Sequence, residues 1–229
     1  MIVVGRGYVG RSLAECFGVQ PIGTVEALES PAITTAPVVV LAGGIKALAL
    51  CERDPALAVA KNVREPAWIA RRAGGTVVYL STDYVFDGRR GMYSPTDTPN
   101  PKTSYGVSKV RGEDAVLARP RGLVVRTAHV MGDGCPWIEW LTERLARGET
   151  VSAWENTFNS PTPVQLLAER ITEAVAAGTT GIVHAAGSRR VNRVELFQSV
   201  AAIRGLDASL IEPGFCDDPL VPRDISLVN

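Results

Sequence analysis

The chain is poor in the residues that hold metals and disulfide frameworks. It has four cysteines and two histidines in 229 residues, and Cys16, Cys51, Cys135 and Cys216 are scattered with no Cys-x-x-Cys pair. Neither a metal centre nor a disulfide scaffold is expected, and a reducing cytoplasm fits. Net charge is missing as well: 24 Lys and Arg balance 24 Asp and Glu, which argues against nucleic acid or an anionic membrane as a partner. Long apolar runs are absent. None approaches the roughly 20 residues of a membrane span, and the first strand is too short and glycine-broken for a signal peptide. No repeat or low-complexity tract occurs, and nothing fixes an oligomeric state. What the chain does have is 46% apolar residues, enough for a core, over a length that suits one α/β domain with a small lobe attached.

Periodicity gives the order of elements. Ile2–Val4 reads as a short buried strand, a helix runs from about Tyr8 to Phe17, and a weak strand is expected around Pro21–Val25. Val38–Leu41, Thr76–Ser81, Gly122–Arg126 and Gly181–His184 read as further buried strands. Helical stretches run from Asp54 or Pro55 through Arg72, bent at Pro66, and from Ser104 to Ala118. Beyond Arg126 come helices over Trp137–Arg147, Pro163–Ala177 and Asn192–Arg204, a short strand at Val151–Ala153, and an irregular, proline-punctuated tail from Pro213. Alternating β and α units with continuously apolar strands predict an α/β fold, a doubly wound parallel sheet of Rossmann type with ligands at the C-terminal strand ends. Residues 1–126 would form the nucleotide-binding core, and 127–229 a small substrate lobe interleaved with the end of the sheet. The segment between Val25 and Pro37 is too short for a full crossover helix, so the adenosine side of the pocket should be pared down.

The first strand runs directly into Gly5-Arg6-Gly7-Tyr8-Val9-Gly10 and then into a helix. Strand, Gly-x-Gly-x-x-Gly, helix is the context in which this motif means a dinucleotide site. The first glycine permits the tight turn, the second lets the pyrophosphate approach the backbone, and the third lets helix and strand pack closely. The helix N-terminus then offers N–H groups to the phosphates. No acidic residue clearly ends the second strand, where NAD-preferring enzymes carry one for the ribose diol. Arg6 suits a 2′-phosphate, so NADPH is the expected cofactor, while Glu26 keeps NADH open.

A second signal is Tyr105-Gly-Val-Ser-Lys109, downstream of the Ser81-Thr82-Asp83-Tyr84-Val85-Phe86-Asp87-Gly88 strand end. A tyrosine and a lysine four apart share one helix face. An ammonium beside a phenol favours phenolate, so Lys109 is expected to draw the Tyr105 pKa down from its usual value of about 10. Tyr105 can then serve as proton donor or acceptor at a carbonyl or alcohol oxygen, and Thr82 brings a hydroxyl to the same place. Asp87–Thr103 is a long polar loop and a plausible wall of the site.

With these residues in place, the chain resembles the extended short-chain dehydrogenase/reductases, and within them the dTDP-4-dehydrorhamnose reductase family. The resemblance rests on the glycine turn, Ala42-Gly43-Gly44, Asn62, Ser81–Gly88, Tyr105–Glu113, Arg126-Thr127, Phe158–Thr162 and Pro222-Arg223-Asp224, in family order. It implies hydride transfer from a reduced nicotinamide to a 4-keto group on a nucleotide-activated deoxysugar, with a small-molecule partner only. Tyr105 would protonate the developing alkoxide, Lys109 would also bind the nicotinamide ribose, and Thr82 would hold the carbonyl. Ala42, Gly43, Gly44, Asn62 and Ser81 would join the cofactor site; Asp83, Tyr84, Val85, His129, Trp154 and Arg223 would face the substrate. The chain departs from the family pattern at Ala49, Pro95 and His129, in a turn one residue tighter, and in lacking the helix that normally follows Pro222-Arg223-Asp224. That last departure predicts an unbraced segment there, mobile until ligand arrives.

Two alternatives stand beside reduction. Asp83 follows Thr82 as in dehydratases and epimerases of the superfamily, but Tyr84 stands where those carry a glutamate. A non-catalytic, cofactor-binding regulatory subunit is the other, opposed by the presence of Thr82, Tyr105 and Lys109 together. His184 reads as a buried hydrogen-bonding strand residue, Arg189-Arg190 as a solvated turn, and Arg223 either as a diphosphate clamp or as a surface ion pair.

Overall fold

A computed structural model describes every residue from Met1 to Asn229. β1 (Ile2–Val4) leads into α1 (Tyr8–Cys16); α2 (Thr24–Glu29) and the single turn α3 (Ala32–Thr35) precede β2 (Val38–Leu41). Next come α4 (Leu48–Arg53), α5 (Pro55–Val59), a π-helical turn over Ala60–Arg64, α6 (Glu65–Arg72), β3 (Thr76–Thr82), a 3-10 turn over Asp83–Val85, α7 (Ser104–Leu117) and β4 (Gly122–Thr127). The remainder is β5 (Val130–Met131), α8 (Pro136–Ala146), β6 (Val151–Trp154), β7 (Phe158–Asn159), β8 (Thr162–Pro163), α9 (Val164–Ala176), β9 (Gly181–His184), β10 (Val191–Asn192), α10 (Arg193–Arg204) and β11 (Ile211–Gly214).

One parallel sheet in the order β1-β2-β3-β4-β9 carries the fold. Period-two alternation sends successive strand residues to opposite faces. Val38, Val40, Val78, Leu80, Leu123 and Val125 point to the face covered by α1 and α9, where Leu13, Leu167 and Ile171 meet them. Val39, Leu41, Val77, Tyr79 and Val124 point to the other face and pack on Ala27, Ile33, Ile69 and Val116 of α2, α3, α6 and α7. Both faces are covered, which is why these strands read as unbroken apolar runs.

The expected strand at Pro21–Val25 is not formed. It is reduced to one bridge, Ile22 to Val4, and α2 starts at Thr24. Thr24–Glu29 holds good helix formers, and Glu26 accepts from the Gly23 N–H to complete the cap, so the helix wins over the strand. The single helix expected through Arg72 is α5, the π turn and α6 in succession, and α4, before it, has no counterpart in the predicted pattern. The π turn lies just ahead of Pro66, whose ring cannot donate within the α-helical ladder.

Beyond the sheet, Ile138, Leu141, Val151, Val194, Phe197 and Ile211 build a second core among α8, β6, α10 and β11. β11, parallel to β6, orders the first part of the expected irregular tail. The segment after it is not unbraced. Asp224 ion-pairs Arg190 at 2.7 Å, and Ile225 and Leu227 are buried with Val85, Phe86, Tyr93 and Ala186. Burial of two branched side chains and one ion pair replaces the bracing expected from a helix. No helix is long and apolar enough to cross a membrane.

Candidate active site

Close backbone packing builds the glycine turn. Gly5 has φ +127°, and a Cβ there would stand 2.7 Å from the Gly43 nitrogen; a Cβ on Gly10 would stand 2.0 Å from the Gly5 carbonyl oxygen. Neither position admits a side chain. Gly7 differs, because it is the extended N-cap of α1 with no side-chain cap bond, and a Cβ there would meet no protein atom within 4 Å. Gly7, Tyr8 and Val9 line a cavity of about 490 Å³. An uncapped helix N-terminus that only backbone shields fits the pyrophosphate of a dinucleotide.

Ala42, Gly43 and Gly44 form the next stretch of cavity wall. Asn62 is buried behind it and does not reach the cavity. Its Oδ1 accepts from the Ile45 N–H, and its Nδ2 donates to the Ile45 carbonyl and the Ser108 hydroxyl, each at 2.9 Å. Asn62 therefore ties the cavity wall at Ile45 to Ser108 of the helix α7. Arg6 and Glu26, expected to favour opposite cofactors, are paired to each other at 2.7 Å on the surface, and neither lines the cavity.

The end of β3 and the first turns of α7 supply the polar side chains of the cavity expected to carry chemistry. Thr103 starts α7 by accepting from the Gly106 N–H at 3.0 Å, and the Glu52 carboxylate accepts from the Ser104 N–H at 2.6 Å and hydroxyl at 2.8 Å. Gly106 allows close approach to β3's extension, since a Cβ there would stand 2.2 Å from the Tyr84 carbonyl oxygen. Thr82, Tyr105 and Lys109 consequently share the cavity with Ser81, Asp83 and Tyr84. Lys109 Nζ donates to the Leu80 carbonyl at 2.7 Å and lies 3.9 Å from the Tyr79 ring centroid. Burial brings its pKa down to about 7, against the pull of Glu113.

Tyr105 moves opposite to expectation. Burial pushes its pKa up, with the neighbouring Thr82 hydroxyl opposing the rise and the Asp83 charge adding to it. Desolvation of the phenolate dominates, and the Lys109 ammonium is turned to the Leu80 carbonyl. Tyr105 is held as phenol, the proton-donating form.

Below this trio lies a buried ion pair. Arg126 donates to Glu113 through Nε at 3.0 Å and Nη2 at 2.7 Å, with the two side chains 0% and 2% exposed. The Ser81 hydroxyl donates to the same carboxylate, so it is committed to the protein even though Ser81 lines the cavity. The pair ties β3, α7 and β4 together beneath the reacting groups.

On the substrate side, Asp83 is buried; the Thr82 hydroxyl donates to Oδ1 at 2.9 Å, and Oδ2 has no partner. Burial raises its pKa to about 7. Tyr84 meets Tyr105 edge-on, with centroids 5.8 Å apart. Val85 is fully buried against Phe86 and Leu227 and faces away, because the 3-10 turn rotates it into the core. His129 lines the cavity, held at a left-handed φ of 37°. Trp154 lies outside the cavity lining and packs under Arg193. Arg223 is exposed beside a separate depression with Asp87, Arg89 and Lys102. Lys46, Thr127, Cys135 and Trp137 also line the main cavity. The turn containing Gly44 was a signal for Lys46; Cys135 and Trp137 reach the site only by the docking of α8, which no local pattern encodes.

The RmlD substrate-binding domain model matches residues 22–220 of this geometry. The chain belongs to that family. A dTDP-4-dehydrorhamnose reductase of Mycobacterium tuberculosis is 38% identical over 175 residues, 71% of this chain and 57% of that protein. The methionine adenosyltransferase 2 subunit beta of Bos taurus is 29% identical over 203 residues, covering 77% and 58%. The RmlD-family chain thus spans under two thirds of the length of these curated relatives. A dTDP-4-dehydrorhamnose reductase from Bacillus anthracis, solved in complex with NADP, superposes with a TM-score of 0.90 at 19% identity, over 100% of this chain and 89% of that one. That likeness establishes the Rossmann-type fold.

Proposed function

We propose that the protein is an NADPH-dependent reductase of a 4-keto group on a nucleotide-activated deoxysugar, working by short-chain dehydrogenase/reductase chemistry. The observation that carries this is one cavity lined by Thr82, Tyr105 and Lys109 together with the uncapped glycine turn. A reduced nicotinamide dinucleotide, held by its pyrophosphate at Gly7–Val9 and along Ala42–Gly44, would supply the hydride. Tyr105, kept as phenol by burial, donates its proton to the carbonyl oxygen as it becomes an alkoxide. Thr82, whose hydroxyl donates to Asp83 Oδ1, would turn it to the same oxygen when substrate binds, and the Lys109 ammonium would stabilise the phenolate left on Tyr105. Placed donors of this kind commonly contribute several kcal/mol to lowering a barrier. Residues 1–126 hold the cofactor and 127–229 the substrate in this scheme, with β9 returned to the sheet. The name of the Mycobacterium tuberculosis relative and the NADP of the Bacillus anthracis structure support it. Following loss of NADPH absorbance across a panel of nucleotide 4-keto-6-deoxysugars tests it, and no turnover on any member would end it.

The likeness to a methionine adenosyltransferase subunit favours one second function, a cofactor-holding partner subunit. NADPH binding without turnover on that panel, together with pull-down of a catalytic subunit, would select it.

A further inference from the structure

Two other arginines set well into this protein have oxygen acceptors. Arg126 is paired with Glu113, and Arg119 donates to the carbonyls of Ala70, Ala73 and Gly75. Arg193, the first residue of α10, is half-buried, stands behind the cavity lining next to His129, and makes one hydrogen bond, from Nη2 to His129 Nε2 at 3.3 Å. Its guanidinium carbon lies 4.8 Å from the Trp154 ring centroid and 5.8 Å from that of Phe197. No carboxylate forms an ion pair with it. A guanidinium carries five donors in a rigid fork, and the unused ones here are not sealed inside the protein. Burial lowers its pKa, the mark of a charge short of stabilisation.

The surroundings fix this guanidinium in place. An arginine only donates, so His129 Nε2 must accept, and burial holds His129 neutral with a pKa of about 3. Nδ1 then carries the ring proton, and the Asn159 amide, whose Nδ2 stands 2.8 Å from Nδ1, accepts it once its oxygen and nitrogen are exchanged. Asn159 lies on β7, whose partner β10 pairs Val191 with Asn159 and runs straight into Arg193. His129 holds this position at a strained left-handed φ of 37°, a kind of outlier that collects at ligand sites. Around it the field is positive: Lys46 acts on His129 from the cavity wall, and Arg193 acts on the Tyr84 phenol. The opposing carboxylates near Tyr84 are Asp83 and Asp218.

We propose that Arg193 is the receptor for an anionic group of the substrate, and that this group is the diphosphate of a nucleoside diphosphate sugar. The assignment rests on the reductase function above. His129 is then a positioning residue: a neutral acceptor that aims the fork, with no proton to give or take. Arginine suits this work because its fork matches two phosphate oxygens at once.

Calorimetric titration with dTDP, inorganic pyrophosphate and thymidine tests it without needing turnover. Arg193→Met, which keeps bulk over Trp154, should lower dTDP and pyrophosphate affinity at least about tenfold, the scale of one lost charge-assisted bond. Thymidine and NADPH affinities should not change, and the KM for a nucleotide sugar should rise with kcat within about threefold. His129→Gln, which keeps an acceptor, should retain more dTDP affinity than His129→Ala. Near-ultraviolet circular dichroism of each variant confirms that the lobe is folded. Equal dTDP affinity in wild type and Arg193→Met overturns the assignment, and so does a wild type that binds neither dTDP nor pyrophosphate. The reductase function fails separately, when NADPH is not consumed with any sugar nucleotide although dTDP binding still depends on Arg193.

Discussion

Lys109 donates its hydrogen bond at 2.7 Å to the carbonyl of Leu80, not to Tyr105 one helical turn before it. Its ammonium sits buried over the Tyr79 ring with a pKa of about 7. In the direction of carbonyl reduction, kcat/KM should therefore fall as pH rises through about 7, as Lys109 loses its charge. Tyr105 adds no loss below pH 10, because its pKa is raised. A pH–rate profile with no break near neutrality would remove Lys109 from this role.

The same shift has a stability consequence. The folded pKa of Lys109 lies below its unfolded value of 10.5, so between about 7 and 10.5 the unfolded chain binds more protons and stability rises with pH. Below about 7 the full penalty of burying the ammonium is present. Lys109→Met should thus stabilise more at pH 6 than at pH 9, as urea melts at both values would measure.

Tyr105→Phe removes one oxygen and the proton it carries. Turnover should drop at least about a hundredfold, the usual scale of general acid catalysis, with NADPH affinity within about twofold of wild type. Near-normal turnover would argue for another proton source.

The glycines of the turn should separate folding from binding. Gly7→Ala places a methyl group where no protein atom lies within 4 Å, so the melting temperature should hold while NADPH affinity falls. Gly10→Ala drives a Cβ to 2.0 Å from the Gly5 carbonyl oxygen, so the melting temperature itself should fall. Matched effects of the two substitutions in thermal melts would contradict the geometry.

Arg6 and Glu26 are about half exposed or more, at 63% and 50%, so their pair is worth about 1 kcal/mol at most. Glu26→Gln should release Arg6 and tighten NADPH relative to NADH by a few-fold; Arg6→Ala should do the reverse. Fluorescence titration with both cofactors reads the ratio, and an unchanged ratio in both variants would leave Arg6 a turn residue only.

Glu113→Ala strands the fully buried Arg126 charge and should cost about 3–5 kcal/mol of stability. Replacing both partners, as Glu113→Leu with Arg126→Met, should cost less than Glu113→Ala alone. Denaturant melts that rank the two variants the other way would mean the pair is not desolvated as described.

The sequence by itself determined the sheet, the glycine turn and the Tyr105–Lys109 pair, because each is written in local spacing. Continuous apolar runs give strands covered on both faces, Gly5-x-Gly7-x-x-Gly10 gives the turn, and a four-residue interval sets Tyr105 and Lys109 on one side of α7. Local pattern also misled. Pro21–Val25 looked like a strand until helix propensity and the Glu26 cap took Thr24–Glu29, and Val85 looked like a site residue until the turn after Thr82 rotated it inward. Only the tertiary structure decided the rest. Whether Tyr105 is phenol or phenolate depends on how much water surrounds it, which no spacing encodes. Arg193, Asn159 and Trp154 come from three separate elements and His129 from the link between β4 and β5, and Arg126 finds Glu113 13 residues away across a strand and a helix. Such meetings follow from how the lobe docks on the sheet, and docking is set by the sum of many buried contacts, none of which is legible one residue at a time.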